Sequence, residues 1–136
     1  MSAEPLLTDL DRRTIAVSKA LAADAVEKAG SGHPGTPISL ASVAWLLYQR
    51  EMVHDPLDPG WLGRDRFVLS IGHASLMQYI QLFLAGYDID LSGFTAFRSP
   101  AGLPGHPEFG EVAGVETTTG PLGAGFANAV GLAMAA

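Results

Sequence analysis

Apolar residues recur at helical spacing from Leu10 through Ala29, at Ile15, Leu21, Ala22, Ala25, Val26 and Ala29, and predict an amphipathic helix. Thr8 followed three residues later by Asp11 has the form of a capping box, and Gly30 supplies a stop. A second helix is predicted from Ile38 to Arg50, with Leu40, Val43, Ala44 and Leu47 on one face, and a proline-rich connection follows from Asp55 to Gly63. The short apolar run Arg66-Phe67-Val68-Leu69-Ser70, bounded by charge and glycine, predicts a strand. Leu76, Ile80, Phe83 and Leu84 then predict a helix that ends at Gly86.

Two stretches break the pattern. Ser31-Gly32-His33-Pro34-Gly35-Thr36-Pro37 holds two prolines without amide donors and two glycines free to adopt positive φ, so a tight, shaped loop is expected there. From Asp88 to Thr119 glycine and proline dominate, leaving room for one short helical turn near Leu91 to Phe97. Pro121 suits the first turn of a last helix that runs to Ala136. One strand cannot make a sheet, and the last helical pattern lacks a glycine cap, a basic last turn or a proline stop. The expectation is therefore an α/β chain comprising part of a domain, with a parallel sheet flanked by helices and the end of the chain falling inside a helix.

Composition narrows the function. With 48% hydrophobic residues in 136, the chain can bury one modest core. Fourteen acidic and eight basic side chains give a net charge of -6, and the basic ones are scattered, so no stripe exists to neutralise a nucleic-acid backbone. Cysteine is absent, which removes disulfides, thiolate metal sites and thiol nucleophiles. Glu4, Asp9 and Asp11 stand where a secretory signal would need a basic and then an apolar region, so a cytoplasmic location is expected. Gly120 to Ala136, the most apolar stretch, falls short of the ~20 residues of a bilayer span, so no membrane partner is expected.

Three of the four histidines share a context: Gly32-His33-Pro34-Gly35, Gly72-His73 after the predicted strand, and Gly105-His106-Pro107-Glu108. Glycine admits close backbone approach while histidine supplies a donor, an acceptor or a proton near neutral pH, a combination suited to an anionic or polyhydroxylated small molecule. His73 sits where open α/β sheets place their ligands. Gly120-Pro121-Leu122-Gly123-Ala124-Gly125 opens the last helix and could turn its amides to a cofactor; it lacks the Gly-Lys-Ser/Thr of a Walker loop. His54 has no glycine neighbour and reads as structural.

Four ordered motifs carry a family resemblance along essentially the whole chain. They are Lys28-Ala29-Gly30-Ser31-Gly32-His33-Pro34-Gly35; Arg64-Asp65-Arg66-Phe67-Val68-Leu69-Ser70 with Gly72-His73; Pro104-Gly105-His106-Pro107-Glu108; and Gly114-Val115-Glu116-Thr117-Thr118-Thr119-Gly120-Pro121-Leu122-Gly123. In these the chain resembles the N-terminal, diphosphate-binding part of transketolase, a thiamine-diphosphate enzyme of the pentose phosphate pathway. The resemblance implies transfer of a glycolaldehyde unit from a ketose phosphate to an aldose phosphate, in a homodimer. It places His33 near the thiazolium carbon and the ketose donor, and has His106 hydrogen-bond the transferred two-carbon unit. His73, Gly120, Pro121 and Leu122 would contact the cofactor. The ligands for its Mg2+ or Ca2+ are expected downstream of Ala136, so no metal ligand is assigned within the chain.

The sequence departs from the family pattern at Ile71, where Asn is expected, at Leu103 in place of Thr, and at Ala124 in place of Gln. These changes flank the histidines and bear on loop geometry and substrate preference. Other readings are another ketose-transferring thiamine enzyme such as dihydroxyacetone synthase, a non-catalytic fragment that needs a partner chain, and a histidine-based metal-binding module.

Overall fold

A computed structural model describes residues 7–136; Glu4, used above in arguing against a signal segment, lies outside them. Helix α1 spans Asp9–Ala29 and begins as its sequence predicts. The Thr8 amide donates to Asp11 Oδ2 at 2.7 Å, and the Asp11 amide donates to Thr8 Oγ1 at 3.2 Å, so two otherwise orphaned donors are satisfied reciprocally. Gly30 closes the helix in the left-handed region, at φ 65°. The buried stripe runs Asp11, Ile15, Ser18, Ala22, Ala25, and the small residues at its C-terminal half let the next layers approach closely.

Asp11 is also held by Arg50 of a later element, whose Nη2 lies 3.2 Å from Asp11 Oδ2. The Thr8 amide, opposed by partial burial and aided by the Thr8 hydroxyl and the Arg50 charge, holds the Asp11 carboxyl below its ordinary value near 3.8. A depressed folded-state pKa contributes stability above the unfolded value, and that contribution fades as pH falls through the lower folded one. We therefore expect Asp11→Asn to flatten the loss of stability below about pH 4, as read by denaturant midpoints at a series of pH values.

The second predicted helix is three pieces. Helix α2 spans Gly35–Ser39 and α3 Ala41–Leu46, separated at Leu40 (φ -99°, ψ 8°), and a π-helical turn follows at Leu47–Glu51. Gly35-Thr36-Pro37 is thus helical and the expected loop shrinks to its first residues. Pro37 occupies the third position of α2, where an amide would have had no intrahelical acceptor, so the missing donor costs nothing. The π turn brings Arg50 over the Trp45 ring, 5.3 Å from its centroid.

Helix α4, Ser75–Ala85, is the centre of the molecule: every residue from Ser75 to Leu82 is buried, and it touches α1, α2 and α3. A 3-10 turn, Gly72–Ala74, leads into it and Gly86 ends it at φ 91°. Helix α5, Leu91–Thr95, delivers Phe94 edge-on to Phe83, centroids 5.6 Å apart. The core gathers Tyr48, Leu76, Tyr79, Ile80, Leu82, Tyr87, Phe94 and Phe97 against Ala22 and Ala25 of α1.

The strand expected at Arg66–Ser70 is not formed; no strand occurs among the described residues. A strand exists only through a ladder, and this segment finds other partners. The Asp65 amide donates to Val53 O at 2.8 Å, Leu69 O accepts from the Thr119 hydroxyl at 2.8 Å, and Ser70 Oγ accepts from the Phe126 amide at 3.0 Å. Helix α6, Ala124–Ala135, starts later than expected, so Pro121 precedes it and Gly123, at φ 90°, is its N-cap. Gly125 lets α6 sit on Ser70: a Cβ there would lie 2.5 Å from Ser70 Cα. Its large apolar side chains, Phe126, Val130, Leu132 and Met134, are exposed.

Candidate functional site

The beginning of α4 is where the glycine-histidine segments meet. His33, exposed between α1 and α2, has its ring 4.9 Å from the ring of His73, which stands half-buried in the 3-10 turn. Beside His73, Gly72 is pressed against Thr119; a Cβ on Gly72 would stand 2.7 Å from the Thr119 carbonyl carbon and oxygen. Next along the chain, Gly120 faces His106, whose Cδ2 would be 3.6 Å from a Cβ at that position. The two pairs, His33 with His73 and His106 with Gly120, are joined through the Gly72–Thr119 contact.

The His106 loop is fastened to α4 from below. Ser75 Oγ donates to Gly105 O and Tyr79 Oη to His106 O, each at 3.0 Å. Burial pushes the Tyr79 hydroxyl well above the usual phenol range, with the charge of Glu108 adding to the effect, so it stays a neutral donor. One helical turn separates Ser75 from Tyr79, which puts both hydroxyls on the same face of α4.

The three threonines before Gly120 divide the work of holding the next loop. Thr117 Oγ1 accepts from Asn128 Nδ2 of α6 at 2.9 Å, and Thr118 Oγ1 accepts from the Phe109 amide at 3.0 Å. Thr119, fully buried, donates its hydroxyl to Leu69 O and its amide to Pro107 O at 3.1 Å. Just upstream, Arg64 forms a two-pronged pair with Glu116, at 2.8 and 3.2 Å, with both side chains largely out of solvent. This loop is therefore fixed on both sides before it reaches Gly120.

At Gly120-Pro121-Leu122-Gly123 the chain turns into α6. Pro121 and Leu122 are exposed, and a Cβ on Gly123 would meet nothing within 4 Å, so the outer surface of this turn is open. Two amides of the turn are already used, that of Ala124 on Pro121 O and that of Phe126 on Ser70 Oγ. The backbone from Gly120 to Gly123 lies at the positive end of the α6 dipole.

Of the residues expected from sequence, His33, His73, His106 and Gly120 are brought together, and Pro121 and Leu122 follow on the rim. His54 is held apart, its Nε2 2.9 Å from Tyr48 O and its Nδ1 3.4 Å from the Tyr87 hydroxyl, in agreement with its structural reading. Ser75, Tyr79 and Thr119 were not singled out by sequence. Ser75 and Tyr79 sit four apart on one face of the predicted helix, a hydroxyl pair that was the available signal.

The departures are absorbed locally. Leu103 is buried in the core, its amide donating to Gly93 O and its carbonyl accepting from the Arg98 amide, so an apolar residue there anchors the loop before His106. Ile71 packs beside Leu69 and Ala74. Among the described residues no group of three or more histidine, aspartate or glutamate side chains could hold a metal ion, and no helix is long and apolar enough to cross a membrane.

Residues 10–136 match the family model described as transketolase, thiamine diphosphate binding domain. The chain is 57% identical over 129 residues to a transketolase of Mycobacterium tuberculosis, covering 94% of this chain and 18% of that protein. It is 50% identical to a transketolase of Bacillus subtilis, over 93% of this chain and 19% of the relative. A crystal structure of Pichia stipitis transketolase in complex with sedoheptulose 7-phosphate superposes with a TM-score of 0.90 at 46% identity, over 94% of this chain and 19% of that one. The chain thus spans under a fifth of the length of the first of these relatives.

Proposed function

Since the chain belongs to the transketolase family, through its thiamine diphosphate binding domain, we propose that it forms one wall of the active site of a transketolase. That enzyme moves a two-carbon glycolaldehyde unit from a ketose phosphate to an aldose phosphate. The observation that carries this reading is the convergence of His33, His73 and the His106–Gly120 pair at the start of α4. The alternative of another ketose-transferring thiamine enzyme is not favoured, because these relatives carry the name transketolase.

The residues fit the cofactor. Gly120 and Gly123 present backbone without side chains at the start of α6, a surface suited to a diphosphate, and His73 stands beside Gly72 as a donor to it. Gly120, Pro121, Leu122 and His73 would hold thiamine diphosphate, with Mg2+ or Ca2+ completing the counter-charge through ligands outside this chain. When bound, the cofactor supplies the electron sink for breaking and making the carbon–carbon bond.

The chain's own side chains orient and move protons. His33, exposed and free to face a sugar, exchanges a proton with the hydroxyl or carbonyl oxygen at the reacting carbons, and His106 hydrogen-bonds the hydroxyl of the transferred unit. The reading carries with it a cytoplasmic homodimer of the pentose phosphate pathway, and a domain with a parallel sheet flanked by helices. Its support is the match of this chain to the diphosphate-binding domain.

The test is to assay the full-length protein with a ketose phosphate donor and an aldose phosphate acceptor, and to titrate it with thiamine diphosphate in the presence and absence of Mg2+ by calorimetry. We expect transfer activity and Mg2+-dependent binding. The isolated 136-residue chain is expected to bind the cofactor weakly or not at all, because the diphosphate lacks its metal counter-charge there. No transfer by the full-length protein would overturn the assignment, and tight, Mg2+-dependent binding by the isolated chain would overturn the expectation for that chain alone.

A further inference from the structure

The direction in which a side chain leaves the backbone, its Cα–Cβ bond, is set by the two peptide planes that flank the Cα, since each plane is rigid. For His106 those planes end in the carbonyls of Gly105 and of His106 itself. Both are gripped by one face of α4: Ser75 Oγ donates to the first and Tyr79 Oη to the second, each at 3.0 Å. Pro107, the next residue, is fully buried and has a fixed φ of its own. The Cα–Cβ bond of His106 is thereby aimed from the backbone, with the ring half-exposed beside Gly120.

A fully buried aromatic position in α4 could be filled by phenylalanine at no loss of packing. The hydroxyl of Tyr79 is instead spent on the main chain of a residue in the site. Removing it would leave the buried ring in place and release one of the two planes. Ser75 is equally enclosed, and its hydroxyl donates to the site loop at Gly105 O.

We infer that Tyr79, with Ser75, is a positioning residue for His106, acting on the transfer reaction through the direction of that imidazole. The inference rests on the reading that His106 meets the transferred unit. Displacement of a reacting group by about 1 Å costs up to about 100-fold in rate, so loss of one clamp carries a measurable kinetic signature.

The experiment is a double-mutant cycle in the full-length, cofactor-loaded enzyme: Tyr79→Phe, Ser75→Ala, His106→Ala, and each of the first two combined with the third. For every variant kcat, KM for donor and cofactor, and the melting temperature are measured. Tyr79→Phe is expected to lower kcat by about 10-fold in the parent, with cofactor KM held, and by less than about 2-fold when His106 is already alanine. A similar loss in both backgrounds would assign the hydroxyl to general stability and overturn the inference, as would full kcat in Tyr79→Phe. If His106→Ala itself keeps full kcat, the role of His106 fails first, and this inference falls with it; the two failures are read from different variants. Ser75→Ala repeats the cycle on the other plane and keeps the test decisive should Tyr79→Phe fold poorly.

Discussion

His33→Ala in the full-length enzyme is expected to lower turnover by about 100-fold or more, the range of a lost acid–base group, while thiamine diphosphate affinity moves by less than about threefold. His33 is exposed in the short loop between α1 and α2, so its removal opens no cavity and the melting temperature should hold. Its ring lies 4.9 Å from that of His73, and it is His73, next to Gly72 against Thr119, that the proposed function puts on the cofactor side. The same substitution at His73 should therefore show the opposite split, weakening cofactor binding before turnover at saturating cofactor. Steady-state kinetics at varied cofactor concentration separate the two. Unchanged turnover in His33→Ala would remove it from the reaction.

Gly72→Ala should be the most damaging small substitution at the site. A methyl there would stand 2.7 Å from two backbone atoms of Thr119 and 2.8 Å from its hydroxyl, and neither neighbour can yield. Thr119 is fixed by its bonds to Leu69 O and Pro107 O, and Gly72 leads directly into the buried α4. Overpacking of this kind costs about 1–3 kcal/mol, to be read as a lower denaturation midpoint with unchanged slope. Because Gly120 follows Thr119, the residual folded enzyme should also bind cofactor less well. Gly30→Ala, by contrast, meets no neighbour within 4 Å and strains only its φ of 65°, so its effect stays confined to the end of α1.

The helices with repeating apolar faces were legible in sequence because their signal is local. The α1 capping box, the glycine stops at Gly30 and Gly86, and the short turn at Leu91–Thr95 all stand where the pattern puts them. The failures share a cause too. Arg66–Ser70 has the composition of a strand, but pairing is a property of two segments, and among the described residues hydroxyls of Thr119 and Ser70 make the long-range bonds instead. Pro37 was read as a breaker when its position in the first turn of α2 makes it harmless. The histidines were legible through their glycines. The hydroxyls that hold the His106 loop were not, because Ser75 and Tyr79 bond to main-chain carbonyls thirty and twenty-seven residues away, and a carbonyl has no identity in a sequence.

The burial of α4 from Ser75 to Leu82 has one more consequence. Segments enclosed on all sides exchange their amide hydrogens only when the whole unit opens, whereas loops exchange through small local excursions. The His106 loop is bonded to this helix, the most enclosed among the described residues, and His73 leads directly into it, so these anchor points cannot loosen without dissolving the cooperative unit itself. Deuterium uptake at α4 should follow the global opening free energy, with the 31–34 loop exchanging far sooner, and mutations that merely soften the core should erode activity in proportion to the fraction of molecules that are open.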